Sequence, residues 1–227
     1  MSKPRLLLAF ALLTGLIVSA SAAKLNTRNL TGKIKGSVYI APKELFRLPV
    51  PVDADLGGRV EDLYNKDGKG MVGFTDDVGH LYRVEYFELT PENARQIAEL
   101  GEAEFFMRFL TMFYLPNTIW LAIPGSKVLT KDFSTEPDGP LLMTWNFLPK
   151  GSVLTVSRNG SKPEREDSYR TVALFIRKNL LFVVSLAPSS PQVGNFREKT
   201  PPDKLQATMD QTTREFIRKI ETPKSAP

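Results

Sequence analysis

The sequence predicts an α+β fold in which a largely antiparallel β-sheet carries a buried central helix and a C-terminal amphipathic helix. Three observations indicate this class. Residues 59–89 and 119–186 are rich in β-branched, aromatic and turn residues, as antiparallel strands are. A helical segment lies between these two regions, and an amphipathic stretch closes the chain. This order of elements is typical of helices packed in layers on one sheet.

The first β-rich region contains three strand-like segments, 59–64, 71–75 and 81–89, which are separated by turn residues such as Asp67-Gly68. In the third segment apolar and charged residues largely alternate, which is the period of two expected of a half-buried strand. We therefore expect an antiparallel meander.

A helix is expected to follow the meander. Thr90 is a suitable N-cap, and Pro91 can occupy the first helical position because its missing N–H has no partner there. Residues 105–114 are apolar on nearly every side, so this part of the helix is expected to be deeply buried against the sheet. Pro116 is expected to end the helix.

The second β-rich region predicts six further strands, with a tight hairpin at Lys178-Asn179. Their expected bounds are 119–123, 127–130, 141–148, 152–156, 169–177 and 180–186. Near the C-terminus Leu205, Met209, Phe216 and Ile220 share one helical face, which predicts a closing amphipathic helix.

The N-terminal residues have the pattern of a secretory signal. Lys3 and Arg5 precede an apolar run at 6–18, and Ala-Ser-Ala at 20–22 matches the small residues of a cleavage site. The run is shorter than the roughly 20 residues that span a membrane. The sequence therefore predicts export, with a mature protein that is secreted or periplasmic and not stably inserted in a membrane.

The rest of the chain is expected to form one domain. We predict a signal peptide at 1–22, a polar linker at 23–36, a single α+β domain at 37–221 and a disordered tail at 222–227. The hydrophobic fraction of 42% is sufficient for a core in one domain of this size.

Composition excludes several classes of function. The chain has no cysteine, so disulfides, thiolate zinc sites, cysteine nucleophiles and iron–sulfur clusters are excluded. It has 30 Lys and Arg residues against 25 Asp and Glu residues, and the small excess is not gathered into a basic stripe. Since nucleic-acid binders usually carry such a stripe, a nucleic-acid partner is not expected.

The order of elements resembles that of the Mog1/PsbP-like α/β/α sandwich proteins. The resemblance rests on an extended segment ending in Phe46-Arg47-Leu48-Pro49, a strand–strand unit, a helix, further strands with a Tyr- and Phe-rich hairpin, and a final helix ending near 216–220. It covers most of residues 38–220. Because members of that group are largely non-catalytic binding or accessory proteins, the resemblance implies a scaffold that binds a partner. It transfers no functional residues.

The most suggestive polar group consists of Asp76, Asp77 and His80. His80 is the only histidine, and a carboxylate beside an imidazole stabilises its charged form and can orient it as a base. Asp-Asp-x-Gly is also a common turn sequence, and no nucleophile motif such as G-x-S-x-G accompanies the group. These three residues are the catalytic candidates, while turn formation is the simpler interpretation.

Two further motifs match known binding sequences, but the residues around them do not fit a binding site. Residues 68–73 match G-x-G-x-x-G, but a strand follows them where a dinucleotide site needs a helix. The segment 53–58 is similar to a calcium loop, but its twelfth position is Tyr64 rather than glutamate. We therefore expect no cofactor and no metal site.

Three functions remain open. The first is an exported, non-enzymatic binding or accessory protein whose partner is a protein or an envelope component. The second is a hydrolase that uses Asp77 and His80, with or without a metal. The third is a carrier that holds a small apolar ligand beneath the buried helix. We favour the first because core residues are plentiful and catalytic groups are sparse, and we expect that His80 is not a catalytic base.

The signal sequence makes a direct prediction. Cleavage after Ala22 leaves Ala23 as the N-terminus, because Ala20 and Ala22 place small residues where the peptidase needs them. Intact-mass spectrometry of the exported protein checks this. A mature chain that still begins with Met1 would contradict the export hypothesis.

Overall fold

The computed structural model describes residues 24–28, 30–156, 162–188 and 201–223. The predicted signal peptide lies outside these residues, as do the last four residues of the predicted tail. Thirteen strands are formed within the described residues. They are β1 (Asn26–Arg28), β2 (Lys33–Lys35), β3 (Val38–Ile40), β4 (Arg47–Pro49), β5 (Arg59–Tyr64), β6 (Lys69–Thr75), β7 (Leu81–Glu88), β8 (Lys127–Glu136), β9 (Gly139–Leu148), β10 (Thr155–Val156), β11 (Glu164–Arg165), β12 (Ser168–Arg177) and β13 (Leu180–Ala187).

Eight of these strands form one sheet in the order β1-β5-β6-β7-β13-β12-β9-β8. Every pair in it is antiparallel except β1 with β5, which is parallel. Strands β2, β3 and β4 form a small antiparallel sheet, and β10 and β11 form a two-stranded one. The predicted α+β class with a largely antiparallel sheet is confirmed.

Three helices accompany the strands in the described ranges. Helix α1 (Pro91–Leu100) begins as predicted, because Thr90 and Asn93 cap each other's backbone N–H groups. Gly101 adopts a φ of +78° and separates α1 from α2 (Glu102–Arg108). Helix α2 continues without a break into a π-helical stretch over Phe109–Trp120, and α3 (Pro202–Arg218) closes the chain. Short 3₁₀ turns lie at Pro42–Glu44 and Ala54–Leu56.

Pro116 does not end the second helix, and the strand predicted at 119–123 is wrong because these residues continue the helical run. Proline removes one backbone donor and leaves a carbonyl without its usual partner. Side chains on the following turn donate to two neighbouring carbonyls: Asn117 Nδ2 donates to the Phe113 carbonyl oxygen at 2.7 Å, and Thr118 Oγ1 donates to that of Tyr114. Wide π turns with such donors accommodate the proline.

The large sheet is buried on both faces, and β13 shows this most clearly because all eight of its residues are buried. On one face Leu180, Phe182, Val184 and Leu186 join a core that contains α3 and the small sheet. On the other face Leu181 and Val183 join a second core beneath α2. The helices therefore cover opposite faces of one sheet, and the predicted C-terminal helix on the sheet is confirmed.

Two short strands, β1 and β2, lie within residues 23–36, the segment predicted to be a polar linker, and the second is held near the sheet. The reason is the buried carboxylate of Asp62 on β5. Its oxygens accept hydrogen bonds from the backbone N–H groups of Thr31 at 2.5 Å and Gly32 at 2.7 Å, and from the hydroxyl of Tyr39 at 2.6 Å. Burial, followed by this bond to Asp62, raises the pKa of Tyr39. The division of the chain into domains stays a prediction.

The expectation that residues 105–114 are buried on nearly every side is wrong for three of them, since Arg108 is exposed as well as two apolar residues. Phe106, Leu110 and Tyr114 face the sheet and are buried, whereas Met112 and Phe113 are exposed. A helix that crosses one face of a sheet can bury only the side turned toward it. The outward side of this helix remains apolar all the same.

This asymmetry predicts different costs for two leucines of one helical run. Leu110→Ala should lower the free energy of unfolding by about 2–5 kcal/mol, because it leaves a cavity in a closed core. Leu121→Ala, at an exposed position, should change it by about 0.5 kcal/mol or less. Equilibrium urea unfolding measures both, and equal losses would show that the outward side is also packed.

Candidate functional site

The three predicted catalytic residues lie in the turn between β6 and β7. Asp76 contacts His80, whereas Asp77 pairs with another residue. Asp76 is 3% exposed, and its Oδ1 accepts hydrogen bonds from the backbone N–H groups of Val78 at 3.2 Å and His80 at 2.9 Å. Its Oδ2 lies 2.8 Å from Nδ1 of His80. Asp76 therefore holds the turn and orients the imidazole at the same time.

Asp77 does not contact His80. Its side chain is exposed and forms an ion pair with Arg59 at the start of β5. Within the described part of the chain, Nε2 of His80 makes no hydrogen bond, so no nucleophile stands in line with the Asp76–His80 pair. The acid–base pair that the hydrolase hypothesis placed at Asp77 and His80 is thus formed by Asp76 and His80.

The other sequence motifs occupy turns and strands. Gly68 lies in the β5–β6 turn with a φ of +72°, and Gly70 lies in β6, where an added Cβ would overlap the ring of Tyr86. Asp53 accepts a hydrogen bond from the N–H of Asp55 at 2.9 Å and so caps a 3₁₀ turn. Among the described residues, no group of three or more His, Asp or Glu side chains is placed to hold a metal ion.

The space beneath α2, where the carrier hypothesis places an apolar ligand, is occupied by the chain's own side chains. Phe106, Leu110 and Leu115 are fully buried there against β9, β12 and β13. An open pocket of about 760 Å³ lies elsewhere, at the C-terminal end of α3, and charged residues form much of its lining. Arg177 in this pocket donates to the carbonyl oxygen of Ile217 at 3.0 Å and to Asp138 at 2.8 Å. That guanidinium caps the helix end, where a cation is favoured.

An exposed apolar surface runs along the outward side of the second helical run, and we call it the apolar stripe. Its members are large side chains with high exposed fractions. They are Met112 (76%), Phe113 (44%), Trp120 (40%) and Leu121 (75%). No charged residue occurs between Arg108 and Lys127, so the stripe is not interrupted by charge. Sequence reasoning missed this surface. The signal is that residues 109–126 contain no charge on any side of the helix, whereas a helix that buries one side usually carries charged residues on the other.

Four large apolar side chains with such exposed fractions on one helical run are unusual on a monomeric protein. Single exposed apolar residues are common, whereas apolar side chains that adjoin one another usually mark a contact with a partner. Tryptophan and phenylalanine are the residue types that contribute most at such contacts. None of the helices in the described ranges is long and apolar enough to cross a membrane.

Comparisons with known proteins bear on the fold. No protein-family model and no curated protein sequence matches the chain. The chain is similar to the solution structure of cyanobacterial PsbP (CyanoP) from Synechocystis sp. PCC 6803, with 12% identity and a TM-score of 0.47, over 85% of this chain and 98% of that one. It is also similar to a crystal structure from Bacteroides thetaiotaomicron VPI-5482, with 12% identity and a TM-score of 0.34, over 85% of this chain and 50% of that one. The first of these structures is a PsbP protein, from the group that the order of elements resembles.

The turn geometry predicts unequal effects of two substitutions. Asp76→Ala should lower the free energy of unfolding by about 1–3 kcal/mol, because it leaves two backbone N–H groups of a buried turn without an acceptor. His80→Ala should cost less than about 1 kcal/mol, since only a partly exposed ring is lost. Urea unfolding of both variants tests this. A larger loss for His80→Ala would show that the histidine, rather than the carboxylate, holds the turn.

Proposed function

We propose that this chain is an exported, non-enzymatic binding or accessory protein whose partner, a protein or another envelope component, packs on the apolar stripe. The observation that carries the proposal is the exposure of Met112, Phe113, Trp120 and Leu121 on a helix whose other side is fixed in the core. Export rests on the predicted signal sequence at 1–22.

The stripe is positioned as a rigid surface. Tyr114 and Leu115 are buried directly behind it, and Phe109 packs edge-on against Phe87 of β7 with ring centroids 5.3 Å apart. Phe113 in turn lies 5.2 Å from the ring of Phe109. A partner would therefore meet a helix that is already held in place, which reduces the entropy lost on binding.

The free energy gained by burying the apolar stripe is sufficient for a specific contact. Burying one large apolar side chain contributes roughly 1.5–3 kcal/mol. Two such side chains at the centre of an interface change affinity by about two orders of magnitude or more, since each 1.4 kcal/mol is tenfold. The apolar stripe offers four.

A hydrolase is the second candidate, and one observation favours it: the 2.8 Å contact between Asp76 and His80 can fix the tautomer of the imidazole. The same contact has a structural role in the turn. A general base also needs a group to activate, and the described residues place none against Nε2 of His80.

The binding proposal predicts a specific loss of partner capture. The full mature protein is exposed to native envelope extract, cross-linked and analysed by mass spectrometry, as the wild type and as the double variant Met112→Gln/Leu121→Gln. Glutamine keeps helix propensity while it removes apolar surface. A single partner should be recovered with the wild type and at least about tenfold less with the double variant.

Leu56→Gln is the matched control, because Leu56 is also an exposed leucine but lies in a 3₁₀ turn away from the helix. It should leave recovery unchanged, and urea unfolding should show that all variants are folded. Equal recovery with the double variant would contradict a role for the stripe. Recovery of only a second copy of this chain would contradict a distinct partner.

A further inference from the structure

Every hydroxyl-bearing and amide side chain in residues 109–126 donates a hydrogen bond within the protein. Four of them donate to backbone carbonyl oxygens of the same run: Thr111 to Met107 at 2.7 Å, Asn117 to Phe113 at 2.7 Å, Thr118 to Tyr114, and Ser126 to Ile123 at 2.7 Å. The fifth, the hydroxyl of Tyr114, points inward and donates to Glu85 at 2.7 Å. These bonds turn the donors of the side chains back onto the protein. The helical run that carries the apolar stripe therefore offers few donors to anything that covers it.

The charges that flank the apolar stripe in sequence are basic. No Asp or Glu occurs from residue 105 to residue 131, whereas this run contains Arg108, Lys127 and Lys131. Arg108 is paired with Glu104 at the start of the run. Neither lysine forms an ion pair with any residue that the structure describes. An apolar surface with free basic side chains at one end is complementary to a surface that combines hydrocarbon with negative charge.

Lys131 lies on the side of the sheet that the helix covers. In the register of β8 with β9, Lys131 is opposite Thr144 and Phe133 is opposite Leu142. Leu142 belongs to the core beneath α2, and residues two apart on a strand face the same side, so Lys131 and Phe133 also face that side. Both are exposed, because β8 is the edge strand of the sheet. The helix side of the sheet thus has an exposed aromatic ring and a free cation at its margin.

The inward hydrogen bonds favour lipid over protein as the material that covers the apolar stripe. A protein partner is usually met with hydrogen bonds, at roughly one for each 100–200 Å² of interface. The side chains of this run can supply few of them, since their donors are already used. Hydrocarbon accepts no hydrogen bonds, so donors that are satisfied within the chain are what a helix in contact with lipid needs.

Trp120 is the residue of the apolar stripe that best fits the boundary of a bilayer. Its ring is apolar, while its indole N–H can donate to a headgroup or to water. Tryptophan is for this reason enriched where hydrocarbon meets the headgroups. Trp120 stands near the C-terminal end of the helical run, which leads through a short turn to β8 and Lys131.

We propose that the apolar stripe lies on the surface of a lipid bilayer, with Lys131 directed at anionic headgroups. This inference rests on the proposed function, because the bilayer is then the envelope component that packs on the apolar stripe. The exposed side chains reach about 5–10 Å into the boundary between headgroups and acyl chains. The contact is peripheral, since the other side of the helix is buried against the sheet.

The two tryptophans of the chain provide the readout, because Trp120 is 40% exposed in the apolar stripe and Trp145 is 2% exposed in the core. The purified mature protein is mixed with vesicles of phosphatidylcholine and phosphatidylglycerol, and both co-sedimentation and tryptophan emission are measured. The wild type should sediment with the vesicles, and its emission should shift to shorter wavelength as Trp120 leaves water. Trp120→Phe should show no shift even when it sediments with the vesicles, since Trp145 stays in the core.

Substitutions separate the apolar contribution from the charge. Met112→Gln/Leu121→Gln should bind the vesicles at least about tenfold more weakly, because two large apolar side chains are lost. Lys131→Gln should bind them about fivefold more weakly, since one cation near an anionic surface is lost. Leu56→Gln and Lys204→Gln are the matched controls and should bind as the wild type does, because Leu56 lies in a 3₁₀ turn and Lys204 on α3, which covers the opposite face. Urea unfolding of each variant shows that it is folded.

Two outcomes overturn the lipid proposal: no sedimentation of the wild type with the vesicles, or equal binding by the wild type and the double variant. If an envelope protein is nevertheless captured through the apolar stripe, the lipid proposal fails alone and the binding function stands. If neither vesicles nor an envelope protein bind through the apolar stripe, both proposals fail.

Discussion

The complete burial of strand β13 is the constraint on which the rest of the structure depends. Leu180–Ala187 lies at the centre of an eight-stranded sheet and exposes neither face, so each face needs its own covering layer. Alternation along the strand then sends Phe182 into one core and Val183 into the other. Helix α3 with the small sheet covers the first face, and α2 covers the second. A chain of this composition without cysteine has burial as its main source of stability.

The helical run on the second face has one side turned toward the sheet and one turned toward solvent. Its polar contacts with the sheet and its exposed apolar stripe both follow from that position. Toward the sheet it packs apolar residues at one end, while Tyr114 meets the polar group of Glu85 and Ser185 farther along. Toward solvent it presents the apolar stripe. Since Tyr114 is buried directly behind Phe113, the stripe and the polar group beneath the helix are joined through one helical turn.

The N-terminal segment completes the layer on the first face through a single acid. Asp62 points from β5 into this layer and binds Thr31, Gly32 and Tyr39, which holds the chain before β3 against the sheet. At the other end of the chain, Glu221 exchanges backbone hydrogen bonds with Arg47 of β4. Both ends of the described domain are therefore held by the small sheet. A carboxylate surrounded by donors of this kind is more costly to lose than an exposed ion pair.

The sequence alone determined the α+β class, the β5–β7 meander, the β12–β13 hairpin, the start of α1 and the closing helix, because periodicity and capping are local properties. It could not determine contacts between residues distant in sequence. Residues 31–35 have no local signal for a strand layer until Asp62 meets them. Pro116 is a local stop signal, which the packing of its helix against the sheet overrides. Tertiary structure decided the exposure of Met112 and Leu121, which depends on the side of the helix that the sheet covers. It also decided that Asp76, the buried acid of the β6–β7 turn, pairs with His80 rather than Asp77.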